Sequence, residues 1–516
     1  PDQLDEQRAA AGRLSYRPLL SVVMPSGDPE GDPMRGTIAS VRSQTYDRWE
    51  LCVASGAEDA AASARGDYVA FLDPGDLLAP FALYEIAGAL ERDPELDVLY
   101  SDRDTISEET NVRTDPLFTP EWSPELLLSA GYMSHLLVVR RDAMREAGGI
   151  RPGLGPEQLW DLSLRLSERT QRIARVPKVL YHRRSEHLEP REGRAVREHL
   201  ERTGRNGSVE GKSDGSVRIR WEVRGDPPVS LIIPTRHNRP LLERCLSGIE
   251  RASYANREIL VVETAPRETD REAWYEELSR KHPVKVLWWE RPFNYSAVNN
   301  WAAAQASGDI LLFLNDDTEA IGEDWLTELV GWAQQEEIGA VGAQLLNEDG
   351  TIQHGGIVVG LTGFAGQLFK FLRPGDGSLL GLTMWYRNVL AVTGACLAMR
   401  REVFDKIGGW DERYLLAGSD VELGLRLRRA GYRVVCTPFA QLRHREQATR
   451  GSEIPQQDFV TSFEDYREFL NEGDPYFSPN LSYDATIPTL TTGDYSPMQT
   501  ASAIIEASRS SLSERA

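Results

Sequence analysis

Nowhere in its 516 residues does the chain hold an apolar run near the roughly 20 residues that a helix needs to cross a bilayer. Its first residues also lack the charged-then-apolar order of a secretory signal, although the sequence opens at Pro1 and what precedes it stays open. The expectation is a soluble cytoplasmic protein, with peripheral association at the inner face of a membrane and oligomer formation left open. Cysteine is scarce: Cys52, Cys245, Cys396 and Cys436 are widely scattered without a CxxC pair. They read as small core residues in a reducing compartment. Positive charge is in deficit, 58 Lys and Arg against 79 Asp and Glu, and a net charge of −21 repels phosphate backbones and anionic headgroups. No nucleic acid is therefore expected as a partner. No GxGxxG follows an early strand, which sets a dehydrogenase aside. The segment Pro234 to Arg239 has no glycine, whereas a nucleotidyltransferase would need a Gly-rich loop with Arg and Lys there.

What is present is enough apolar content, 41%, for two large cores. Two apolar runs, Leu19 to Pro25 and Val229 to Thr235, each end at or near a proline and read as buried parallel strands. Behind each comes a helix-like stretch and a second apolar strand, then a run ending in acids: YVAFLDPGD at 68–76 and ILLFLNDD at 310–317. The repeated order predicts two copies of one βαβ-type α/β domain. We place a polar tail at 1–16, a first domain at 17–190, a linker at 191–226 with a small strand near Val217 to Val223, a second domain at 227–470, and a loosely packed or disordered tail at 471–516.

Acids that follow the run Ile310 to Leu314 must sit where the strand leaves the sheet, which is where open α/β sheets bind ligands. Adjacent carboxylates, Asp316 and Asp317, repel unless a cation joins them, and hard oxygen ligands suit Mg²⁺ or Mn²⁺ bridging to a diphosphate. The plainer account is an Asx turn or a helix cap before Trp325. Further on, Asp420 and Glu422 open an amphipathic stretch, where a cap is equally open. His444 follows an apolar strand, and a lone histidine is more often structural than a ligand.

Together SLIIPTRHNR, FNYSAVNN, ILLFLNDDTE, VGAQLLNEDGTIQHGG, VTGACLAMRREVFDKIGGWDE, SDVELGLRLRRAGYRVV and HREQATRG make the chain resemble tandem glycosyltransferase family 2 proteins of the GT-A fold, Rossmann-like with a mostly parallel sheet, which build bacterial surface polysaccharides. The resemblance implies an inverting, metal-dependent transfer from a UDP- or dTDP-linked sugar to a glycan or lipid-linked glycan such as O-antigen. It assigns Asp420 as general base, and Asp317 with Asp316 and His444 as ligands of Mg²⁺ or Mn²⁺. It puts Thr235, Glu263, Ser296, Asn299, Asn300, Asn315 and Arg450 at the nucleotide-sugar donor. It puts Trp410, as a stacking face, and His354, beside Gln353, at the acceptor. Glu263 departs from the family's usual acid after the second strand, and Ser419 stands where an acid or Asn is common.

The resemblance continues through RSQTYDRWELCV, GDYVAFLDPGDLLAP, LDVLYSDRD, FTPEWSPELLLS and RIARVPKVLYHRR, but the first copy is degenerate. Gly75 replaces an acid, and Leu159 falls at the position of Asp420, with Glu157 and Asp161 as the alternatives there. Between Val53 and Arg65 only an Ala-rich stretch replaces a strand and helix of the nucleotide pocket. We therefore expect a non-catalytic first domain acting as scaffold or acceptor-holding partner. A two-site polymerase and a non-catalytic glycan-binding protein are the competing readings.

Overall fold

The computed structural model describes residues 2–26, 32–107, 109–184, 191–445 and 454–513. It divides into two compact units, Pro1–Arg220 with Ser378–Gly381, and Trp221–Gly377 with Leu382–Ala516.

In the second unit the largely buried strand Val229–Thr235 lies between the parallel strands Arg257–Glu263 and Ile310–Leu314, with Val284–Trp288 at the edge. Beyond Ile310–Leu314 the sheet becomes mixed: Cys396–Arg400 enters antiparallel, followed by Ile338–Leu346, Arg433–His444 and Thr318–Ile321. Continuous burial on both faces explains why these strands read as unbroken apolar runs. Helices cover the sheet, and the core holds Leu260, Phe313, Trp410, Leu423 and Leu427 together.

The first unit repeats the order. Its strands run Trp49–Ala54, Leu20–Pro25, Tyr68–Phe71, Val138–Arg140, Val98–Ile106, Ile173–Arg183, Leu77–Leu78. Each has a counterpart at the same place in the second sheet. What it lacks is a helix matching Thr269–Lys281 and a strand matching Val284–Trp288; only the short helix Ala57–Ser63 joins Trp49–Ala54 to Tyr68–Phe71. That is the deficit the Ala-rich stretch predicts.

One clamp occurs in both units. Arg426 pairs with Glu422 (Nε to Oε1, 2.6 Å) and donates to the carbonyls of Ile407 and Gly409. Arg165 pairs with Asp161 (Nε to Oδ2, 2.8 Å) and donates to the carbonyls of Ala147 and Gly149. Asp161 is thus the counterpart of Glu422, and Leu159 that of Asp420. Asp161 is further held by Arg151, and Glu157 accepts the N–H groups of Gly193 and Ala195. Both alternatives are therefore structural.

Two segments depart from expectation. Residues 191–226 are not bare linker: a helix, Arg194–Arg202, buries Ala195, Val196 and Leu200, and a ribbon pairs Gly207–Gly211 with Val217–Trp221. Residues 471–507 are packed rather than loose, because a few anchors suffice: Phe477, Leu481 and Ala501 are buried, and the helix Pro497–Ser513 adds Ala501 to a cluster with Val359, Leu390, Val421 and Leu425. The first residues form the helix Asp2–Ala11, with Ala11 buried. Among the described residues no helix is long and apolar enough to cross a membrane, and all four cysteines are buried and unbridged.

Candidate active site

Register decides which side chains meet. Thr235 lies beside Glu263, and Asn315 to Asp317 leave the neighbouring strand at the same edge of the sheet. Thr318 pairs with His444. The long strand Arg433–His444 thereby ends against the acid turn, and Arg445 N–H donates to the Asp317 carbonyl at 3.0 Å.

Asp316 and Asp317 have different surroundings. Asp316 Oδ2 accepts from Thr235 Oγ1 at 2.6 Å. Burial, then the charges of Asp317 and Glu263, push its carboxyl up to about 7 against that hydrogen bond. Asp317 Oδ1 instead faces His444 Nε2 at 3.1 Å and has no hydrogen-bond partner, although Asp317 is only 6% exposed. His444 Nδ1 lies 2.6 Å from Gln353 Oε1, and Gln353 Nε2 donates to the His444 carbonyl at 3.1 Å. Because the Gln353 oxygen can only accept, Nδ1 carries a proton, and Nε2 is the ring atom turned toward the Asp317 carboxylate. A carboxylate oxygen and an imidazole nitrogen facing each other in a buried place are ligand types that a cation takes, with Gln353 orienting the ring.

Glu263 is fully buried and already satisfied: Oε1 takes the Ala265 N–H and Oε2 the Tyr275 hydroxyl, each at 2.6 Å, and His237 Nδ1 lies 3.4 Å from Oε2. Tyr275 and His237 were given no role: Tyr275 comes from a helix without a motif of its own, and His237 lies within SLIIPTRHNR but was not singled out.

Asp420 stands in the first turn of the helix Ser419–Arg429, after Gly418 at φ +96°. Its Oδ2 accepts Gly394 N–H at 3.1 Å and its Oδ1 the Val421 N–H at 2.9 Å. It borders a cavity of about 350 Å³ that Asn315, His354, Gln353 and His444 also line. The loop before this helix is fixed by Asp458, which sequence reasoning missed. The Asp458 carboxylate accepts three N–H groups, from Leu415 at 2.8 Å and from Leu416 and Ala417 at 2.9 Å each. His354 is buried against Gln367, and burial holds its ring down to about 4, so it is neutral at pH 7.

Other expected residues are elsewhere. Ser296 and Asn299 are fully buried in the helix Tyr295–Ala303, with Ser296 Oγ and Asn299 Oδ1 unpartnered. Asn300 ties down the chain at Trp410, donating to its carbonyl at 2.9 Å and accepting its N–H at 2.8 Å. Trp410 is 2% exposed and packed edge-on against Tyr295 and Phe313, so its faces are taken by the core and it offers no stacking surface. Arg450 lies outside the described residues. Among the described residues no group of three His, Cys, Asp or Glu side chains converges as a metal site. Asp317 and His444 would thus need ligands from a bound diphosphate or from water.

An α/β sheet with an Asp-Asp turn at a strand's carboxyl end, a histidine on it and a carboxylate across a cavity is the arrangement that the resemblance to glycosyltransferases implies, at the place where open α/β sheets bind ligands. Residues 227–457 match the family described as Glycosyltransferase like family 2. The O-antigen biosynthesis protein RfbC of Myxococcus xanthus is 42% identical to the chain, over 94% of this chain and 42% of that protein. The uncharacterized protein y4gI of Sinorhizobium fredii is 37% identical, over 93% of this chain and 60% of its own length. The chain therefore spans between about two fifths and three fifths of these relatives. An N-acetylglucosaminyl-diphospho-decaprenol L-rhamnosyltransferase of Mycobacterium tuberculosis is 31% identical over 130 residues, 22% of this chain and 39% of that protein.

Proposed function

We propose that the second unit, about residues 227–470, transfers a sugar with inversion from a UDP- or dTDP-linked donor to a hydroxyl of a growing surface glycan. The Asp317 carboxylate facing His444 Nε2, with Gln353 holding the other ring nitrogen, carries this reading. A bound Mg²⁺ or Mn²⁺ would supply charge neutralisation at the leaving diphosphate. Thr235, Asn315, Ser296 and Asn299 belong to the donor side, and Asp420 removes the proton of the acceptor hydroxyl as its oxygen attacks the anomeric carbon. The cavity beside Asp420 receives the acceptor, with His354 and Gln367 on its wall. The relatives' names favour O-antigen assembly and a deoxyhexose donor. Work on the cytoplasmic face suits such a donor.

The first unit contributes no second transferase site in this reading. Pro74, Gly75 and Leu159 stand where the second unit has Asp316, Asp317 and Asp420, which counts against a two-site polymerase.

Nucleoside-diphosphate release, measured with Mn²⁺ or Mg²⁺ over a panel of uridine-, thymidine- and guanosine-linked sugars, tests the reading. Release from one donor class that disappears in chelator and in Asp317→Ala is expected. Release that survives Asp317→Ala would remove the proposed cation site, and silence over the whole panel would favour a glycan-binding protein. A second expectation concerns Gln353→Leu, which leaves the His444 Nδ1 proton without its acceptor. Mn²⁺ affinity should fall by about 10–100-fold with the melting curve kept. An unchanged Mn²⁺ titration would show that Gln353 does not orient His444.

A further inference from the structure

The first unit has lost acids and gained bases at matched places. Ala130 to Ile150 matches Leu390 to Trp410 without a gap, and Val138 pairs with Ala70 as Ala398 pairs with Leu312. Ser134 and His135 therefore take the positions of Gly394 and Ala395. Leu77 pairs with His182 as Glu319 pairs with Arg443, so the next residue, Arg183, takes the position of His444. Arg103 pairs with Tyr181 as Leu345 pairs with Leu442. Leu345, Gly394, Ala395 and His444 all line the cavity of the second unit. At these four places the first unit carries Arg103, Ser134, His135 and Arg183.

A shared neighbour, Gly131, brings Ser134 together with Arg191, and Arg103 is paired with Tyr181, two residues before Arg183 on the adjacent strand. A methyl group built on Gly131 would lie 3.1 Å from Arg191 Nη1 and 3.2 Å from Ser134 Oγ, so those two donors end at one spot. Ser134 is 7% exposed and its hydroxyl has no hydrogen-bond partner. The His135 ring is held well below its ordinary value by burial and by the charges of Arg103, Arg183 and Arg191, as expected where three cations converge. Two acids share the neighbourhood. Asp76 is engaged by the Tyr181 hydroxyl at 2.8 Å and the Arg184 N–H at 2.9 Å, and Asp73 lies beside it. At this edge the first unit places the guanidinium groups of Arg103, Arg183 and Arg191 beside Asp73 and Asp76, whereas the second unit places Asp316, Asp317 and Asp420 at its corresponding edge.

We propose that the first unit holds a metal-free anion site for a diphosphate group, with Arg103, Arg183 and Arg191 in the part that a cation plays in the second. Guanidinium forks donate paired N–H groups to phosphate oxygens, and Ser134 adds a hydroxyl donor. The missing nucleotide wall means that this site grips the diphosphate and not a nucleoside. The proposal is independent of the transfer reaction, since it needs neither Asp317 nor a cation.

The test is calorimetric titration of the full chain, in excess chelator, with inorganic pyrophosphate and with farnesyl diphosphate. Binding is expected in the wild type, weakened at least ~10-fold in Arg103→Gln/Arg183→Gln and unchanged in Asp317→Ala. Tighter binding of the farnesyl ester supports a lipid-linked acceptor as the ligand; equal binding supports free diphosphate. If the double variant does not fold, the partly buried Arg183 decides alone, with Arg183→Lys expected to bind better than Arg183→Gln. No binding in chelator, full binding by the folded double variant, or loss of binding in Asp317→Ala would overturn the proposal.

Discussion

Asp420→Asn is expected to lower kcat by ~10²–10⁴-fold while the chain folds as before and still binds donor. The side chain changes by one atom, and the remaining amide oxygen can keep either the Gly394 or the Val421 N–H as donor. The loop ahead of it is held separately by Asp458 and by the Tyr466 hydroxyl, which donates to the Gly418 carbonyl at 2.6 Å. What disappears is the lone pair that takes the proton. A loss concentrated in kcat, with donor KM nearly constant, is the signature of a group that acts only as the bond forms. If Asp420→Asn kept kcat within about threefold, Asp420 would be a helix-terminal cap and the base would have to be sought elsewhere on the cavity wall.

The largest effect on stability is expected from Gly424→Ala. Gly424 is one helical turn beyond Asp420, and an added Cβ would collide with the carbonyl oxygen of Leu390 and lie 2.9 Å from the Ala391 Cβ. Alanine gains up to ~1 kcal/mol of helix propensity, but overpacking against backbone, which cannot rotate away, costs ~3 kcal/mol, the upper end of the usual range. The net is ~2 kcal/mol and a fall of roughly 5 °C in the melting of the second unit. Because the helix must move outward, activity falls with stability. Differential scanning calorimetry checks the first effect, and an unshifted transition would mean that the strand end near Leu390 yields. Ser163 holds the corresponding place in the first unit, with its hydroxyl bonded to the Leu159 carbonyl at 2.7 Å, so a side chain is accepted there.

Much of the site was legible because its parts follow apolar strands whose ends are recognisable: Asp316 and Asp317 after Ile310–Leu314, and His444 at the end of Arg433–His444. The degenerate first copy was legible for the same reason, down to Leu159. Contacts between distant segments were not. Gln353 and His444 are 91 residues apart, and nothing local marks their bond. Asp458 lies in a polar stretch whose hydrogen-bond partners are backbone amides, which leave no trace in side-chain pattern. Trp410 was expected to offer a stacking face, since an aromatic side chain serves a sugar ring or a core equally well in sequence, and the structure turns it inward onto Phe313. Residues 471–507 misled through composition: polar residues outnumber the anchors, but Phe477, Leu481 and Ala501 decide the packing.

The Arg426 and Arg165 clamps give this chain a built-in experimental control. Both tie the start of a helix to the turn before it by the same bonds, yet only one of those helices carries a carboxylate at the cavity. Substitutions paired across the two units, Glu422→Gln with Asp161→Asn, subject matched architecture to the same insult. Any defect common to both members of the pair reports on folding alone. A loss of activity confined to the Glu422 member, at an unchanged melting curve, separates chemistry from folding without reference to any other protein.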